Sequence, residues 1–331
     1  MEKPFLTIEE QVELLRSRGI AINNQTNTVL MREGYYSLIN GYKDPFLDKE
    51  KTEQEGDDRF ISETSFDDIY SLFDFDRNLR DVTFPYLIRA EATVRTAISY
   101  CFSKHHTGQN DYLSQQNYCT VDEYINYCSD IENEDEGKAE YFDELSKLIG
   151  RLRNRVKYSQ ASFIAHYRDA FNEVPLWVLS NDLTFGTLEH FFNFMRPAEK
   201  EEVCKFISES TGRLGDKTLG FFSVDEARIG LEALVKFRNI CAHDERLYCA
   251  SVGDRKQINF IRMALYLERY LTTSEFFNFI NKFLDVFEST HISSTENILS
   301  SLGFDEFREE INRRLERPPM NSKKPSASGR M

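Results

Sequence analysis

An all-α fold is predicted by three features of this sequence. Breakers are sparse, with 15 Gly and 8 Pro in 331 residues. Apolar residues recur at helical spacing over long runs. Ser or Thr stands ahead of several of those runs with an acid three residues on, the pattern of a capped helix start. The hydrophobic content of 40 % is enough for a sizeable core, read as a single domain over 1–317.

Thr7-Ile8-Glu9-Glu10 opens the first helix, which carries Ile8, Val12 and Leu15 on one side and stops at Gly19. A second short helix covers Thr28 to Arg32. GYYSLINGYKDPF (34–46) is an aromatic turn and helix, and the polar stretch 48–63 is a solvated loop. Ser65 caps a helix that kinks or restarts at Pro85, because proline lacks the N–H its turn needs, and runs to about Cys101. Residues 122–144 hold ten acids and one Lys, and KLIGRLRNRVK (147–157) holds five bases and no acid. Helices follow over 160–171, 175–182, 184–195 and 198–209, then a loop at 211–220. Ser223 and Glu226 form a capping box for a long helix through Arg238 and His243 to about Ala250. Further helices cover 255–271, 275–289 and 304–316. The Pro/Ser/Lys-rich segment 318–331 is expected to be a disordered tail. No internal repeat is visible.

The net charge of −14 argues against a general nucleic-acid binder, since phosphate binding needs clustered Lys and Arg. One local basic cleft remains compatible with it. Cys101, Cys119, Cys128, Cys204, Cys241 and Cys249 form no CxxC pair and read as buried free thiols of a reducing compartment. The start of the chain has no apolar signal-peptide core, and no run of about 18 apolar residues exists, so a cytoplasmic location and no membrane partner are expected. No P-loop string is present.

The chemistry-bearing string is Arg238-Asn239-Ile240-Cys241-Ala242-His243. An imidazole titrates near neutral pH and can move the proton of a ribose 2′-OH or of a leaving 5′-oxygen. A guanidinium offers a planar fork of donors to a phosphate whose charge grows in the transition state. Together they suit metal-free RNA cleavage. At about 100° per residue, Arg238 and His243 lie about 140° apart around a straight helix, whereas Asn239 and His243 share a face. A shared site therefore needs Arg238 to reach round, or a cleft wrapped by more than one helix, as a two-fold dimer provides. The bare spacing is common enough to arise by chance, and a rim Arg with a hydrogen-bonded His would explain it equally well.

The surroundings add specificity. RNICAHDERLY resembles the RN-x3-H segment of HEPN ribonucleases as it occurs in the AbiD/AbiF (Abi-like) abortive-infection group. RGIAI (18–22) with MREGYYSLINGYKDPF (31–46) resembles that group's N-terminal signature, although Ser37 stands where Arg is frequent. LFDFDRNLRD (72–81) with IRAEATVRTAI (88–98) resembles its central helix pair, and PLWVLSNDLTFGTL (175–188) its Pro-x-Trp…Phe-Gly segment. The resemblance implies a HEPN-like helical bundle with added N- and C-terminal helices, its HEPN-type helices centred on about 65–105 and 160–290. It also implies a homodimer, metal-independent cleavage leaving a 2′,3′-cyclic phosphate, a phage-defence or toxin role, and in some members a small structured RNA that restrains the protein. Catalytic roles pass to Arg238, Asn239 and His243 alone. The rival reading is a non-catalytic module that holds a small structured RNA. No cofactor and no metal are expected.

Among the remaining candidates, Arg151, Arg153, Arg155 and Lys157, with Lys147, either hold RNA phosphates or form a solvated face paired with the acidic run. Arg246 either touches RNA or makes a rim salt bridge. Glu91 and Arg95 are an i,i+4 ion pair of structural character. His105-His106 lacks further ligands at metal-binding spacing, Cys241 is packing, and Trp177 is core.

Overall fold

The computed structural model describes residues 4–127, 133–217, 219–253, 257–290 and 293–315; the expected tail at 318–331 and Cys128 lie outside them. The architecture is all-α. In chain order the helices are α1 (Ile8–Ser17), α2 (Thr26–Glu33), a π-helical turn (Tyr36–Asn40), α3 (Lys49–Glu55), α4 (Phe66–His105), α5 (Val121–Tyr127), α6 (Glu134–Tyr158), α7 (Ser162–Phe171), α8 (Leu176–Leu179), α9 (Phe185–Phe194), α10 (Pro197–Ser210) and α11 (Val224–Ala242). A two-residue hairpin follows, β1 (Ser251–Val252) against β2 (Ile258–Asn259), antiparallel with Val252 opposite Ile258. Then come α12 (Phe260–Leu267), α13 (Thr273–Glu288), α14 (Ser293–Ser301) and α15 (Phe304–Leu315).

Helix α4 is the spine, 40 residues or about 60 Å long. Its Ser65 cap and Asp68 bond each other's backbone reciprocally. Apolar residues ring it on several faces because α9, α10, α11 and α13 all pack against it. Ile69, Leu79, Leu87, Ala90, Val94 and Ala97 are fully enclosed. The helix does not restart at Pro85: Pro85 and Asp81 sit on the exposed side, where water can satisfy the Asp81 carbonyl that proline leaves without a donor. Helix α11 lies on α4, α9 and α12 and buries Leu231, Leu234 and Phe237. At Gly230 a Cβ would stand 3.1 Å from Tyr266, so glycine permits the close approach of α12. Among the described residues, no helix is long and apolar enough to cross a membrane.

Several boundaries differ from expectation for identifiable reasons. Residues 49–55 are helical rather than loop: Asp48 accepts from Lys51 N–H and Gly56 closes the turn at φ 68°. At Ser223 only half the capping box forms, because the Glu226 carboxylate pairs with buried Arg269 instead. The segment before α12 is a hairpin, and α14 was not foreseen. The long helix through Arg238 ends at Ala242, eight residues before the expected end. Trp177 is half exposed and is not core. Cys249 is exposed, whereas Cys101, Cys119 and Cys204 are buried.

Candidate functional site

Everything around His243 depends on how α11 stops. His243 is its C-cap, at φ −104°, ψ 11°, with its N–H on the Asn239 carbonyl at 2.9 Å. Asp244 then turns left-handed at φ 58°, a conformation that Asp tolerates better than most residues. The Glu245 N–H returns to the Ile240 carbonyl at 3.0 Å and locks the reversal.

The turn is clamped from α4. Asp76 is fully buried and accepts from the Leu247 N–H (3.1 Å), the Tyr248 N–H (2.6 Å), the Tyr42 hydroxyl (2.7 Å) and the Arg80 guanidinium. Burial pushes its carboxyl above the ordinary range, and Arg80 with the other donors opposes that. Arg80 also donates to Asp244 and to the Glu245 carbonyl. The N-terminal aromatic segment is thereby stapled to the His243 turn: Tyr42 reaches Asp76, and Arg246 Nη1 donates to the Gly41 carbonyl at 2.9 Å and lies 3.3 Å from Asp44.

The result is an open groove of about 680 Å³ between Tyr36–Tyr42 and residues 240–251, with His243 in its lining. The His243 side chain is exposed, and its ring bonds no other described residue. Asn239 is exposed one turn earlier. Arg238 does not line this groove. It lies against α4, its Nε 3.3 Å from Glu91 Oε2 in an ion pair, while Glu91 Oε1 accepts from Arg95 at 3.0 Å. Arg238 Nη1 also donates to the Asn239 amide oxygen at 3.2 Å. The angular separation expected from the spacing is thus realised. Within one chain, Arg238 and His243 occupy different sides of the helix end. Cys241 sits among packed apolar groups, and burial raises its thiol to about 12, as suits packing rather than a nucleophile.

The basic run lies elsewhere, on α6. Arg151 and Arg155 share a face and, with Thr184, Thr187 and His190, line a cavity of about 350 Å³ at the start of α9; Arg155 is 3.6 Å from Asp182. Arg153 donates to the Leu113 carbonyl, and Lys157 lies over the Tyr158 ring. Lys147 pairs with Asp143 and Glu144, the acidic neighbours expected of a solvated face. His105 and His106 bond Glu202 and Glu199. Reading residues in isolation missed Glu91 as the partner of Arg238. It also missed Asp76 and Arg80, although their i,i+4 spacing within LFDFDRNLRD is a usable signal.

Fold and site together define a helical-bundle protein whose Arg-Asn-x3-His helix end opens on a groove. Residues 28–249 match the family model described as Abi-like protein, more than half of the sequence, and the chain belongs to that family. Membership points to abortive infection, a phage-defence role. No curated protein and no solved structure matches the chain.

Proposed function

We propose that the chain is a metal-independent, HEPN-type endoribonuclease of phage defence. The observation that carries the reading is an imidazole at the helix end of an Abi-like chain, exposed on an open groove with its ring unclaimed by any described residue. His243 takes the proton of the 2′-OH as that oxygen attacks phosphorus, or protonates the 5′-oxygen as the P–O5′ bond breaks. The products are a 2′,3′-cyclic phosphate and a 5′-hydroxyl. Arg238 meets the phosphorane charge with the donors that Glu91 leaves free, and Asn239 orients Arg238 through its amide oxygen. Because Arg238 and His243 part company around one helix, the active unit is a homodimer in which two helix ends share a cleft.

The purified protein is expected to cut RNA in EDTA, and His243→Ala to abolish cutting at unchanged melting temperature, since the side chain is exposed. Wild-type cutting that strictly requires an added divalent metal would defeat the mechanism. A second reading, retention of a structured RNA without cleavage, is favoured by the engagement of Arg238 with Glu91 and by the separate Arg151/Arg155 cavity. It predicts a gel shift without products on the same RNA. A homodimer is expected in light scattering at micromolar concentration.

A further inference from the structure

We infer that the groove beside His243 seats one unpaired nucleobase, with the Tyr36 ring as its stacking wall; this rests on the reading of RNA as the ligand. Four observations lead there. The first is the ring itself. Tyr36 is 80 % exposed, yet it stands on a segment that is anything but loose. Its neighbours Leu38 and Ile39 are fully buried, Tyr42 is tied to Asp76, and the Gly41 carbonyl is held by Arg246. A large aromatic kept in water by a rigid support is a preorganised contact surface.

Second, the segment is π-helical over Tyr36–Asn40. Single π turns are uncommon and cluster at functional sites. This one brings Tyr36, Ser37 and Asn40 into the lining of the groove that holds His243. Third, the Ser37 and Asn40 side chains bond no other described residue, so a hydroxyl and an amide are free to meet the edge of a base.

Fourth, the groove carries no surplus of cation to hold phosphates beyond the scissile one. Asp244 is paired with Arg80, and Arg246 already has Asp44 and a carbonyl, which leaves the groove no spare cation beside His243. A phosphate cradle needs a surplus of cation, which is absent here. A neutral, planar ring with donors and acceptors on its rim fits, and a carboxylate such as that of Glu245 can accept from a base amino group. Bases within an A-form duplex are stacked on one another and cannot offer a face to Tyr36. The seat therefore selects an unpaired nucleotide next to the scissile bond.

The test compares wild type, Tyr36→Ala, Tyr36→Phe and Tyr36→Trp on one oligonucleotide, single-stranded and annealed to its complement. Binding is read separately, by fluorescence of 2-aminopurine in an uncleavable 2′-deoxy version of that strand. Tyr36→Ala is expected to lose about 10- to 100-fold in affinity and in kcat/KM, chiefly through KM, with Phe and Trp close to wild type. Wild type is expected to favour the single strand. If no protein cleaves, the nuclease reading fails, and the 2-aminopurine arm still judges the seat. Equal binding by Tyr36→Ala and wild type overturns the inference. So does equal handling of duplex and single strand, or a Tyr36→Ala chain whose only change is a lower mass in light scattering, which would make the ring a contact between copies.

Discussion

Replacing Asp76 by alanine tests the clamp on which the His243 turn rests. The carboxylate is fully buried and accepts from two backbone N–H groups, one hydroxyl and one guanidinium. Removing one partner of a buried ion pair costs about 3–5 kcal/mol. The lower end applies, because Arg80 keeps Asp244, the Tyr42 hydroxyl and the Glu245 carbonyl. The Leu247 and Tyr248 N–H groups are left without acceptors, at about 1 kcal/mol each or more. The expected loss is thus about 5 kcal/mol, a large share of the 5–15 kcal/mol typical of a folded domain. At about 2 °C per kcal/mol for a large domain, the melting temperature should fall by about 10 °C. Thermal unfolding followed by circular dichroism at 222 nm measures it, with His243→Ala as a control that melts with the wild type. A shift of Asp76→Ala within about 2 °C of zero would refute the account of the clamp.

Other expectations follow from the same geometry. Trp177→Ala should change stability by no more than about 0.5 kcal/mol, since the ring is half exposed; a loss of about 3–5 kcal/mol in a denaturant titration would mean it is core after all. The Arg77 guanidinium bonds Glu33 and holds its carboxyl below the ordinary value of 4.5. A folded-state value below the unfolded one stabilises at pH above the unfolded value and loses that stabilisation as pH falls through the folded one. Glu33→Gln should therefore melt below wild type at pH 7, with the gap closing below about pH 4 in melts across pH; a constant gap would contradict the assignment. On the proposed ribonuclease reading, maleimide should modify Cys249 and block RNA cleavage, because that thiol lines the groove, and Cys249→Ser should retain its activity after the same treatment.

Much of the helical plan was legible because it is written locally. Thr7 with Glu10 and Ser65 ahead of Phe66 cap where the sequence places them. The misses have local causes too. The acidic stretch at 48–63 hid an ordinary Asp48 cap and Gly56 stop behind its polarity. At Ala242 a helical pattern was cut short by tertiary contacts, because the Leu247 and Tyr248 N–H groups belong to Asp76, 171 and 172 residues away. Glu91 and Arg95 satisfy the i,i+4 rule so well that nothing local announces a third partner in Arg238. Arg151 and Arg155 do share a face, yet their cavity is distinct from the groove at His243.

The staple of Tyr42 and Leu247 onto Asp76 has a consequence for the growing chain. On the ribosome, Tyr42 and Asp76 emerge long before residues 247 and 248 exist to complete the knot. Until then the groove lacks one wall and the helix end lacks its anchor. A nascent or prematurely terminated product would thus lack an assembled groove, so the site exists only once the chain has been made past Tyr248.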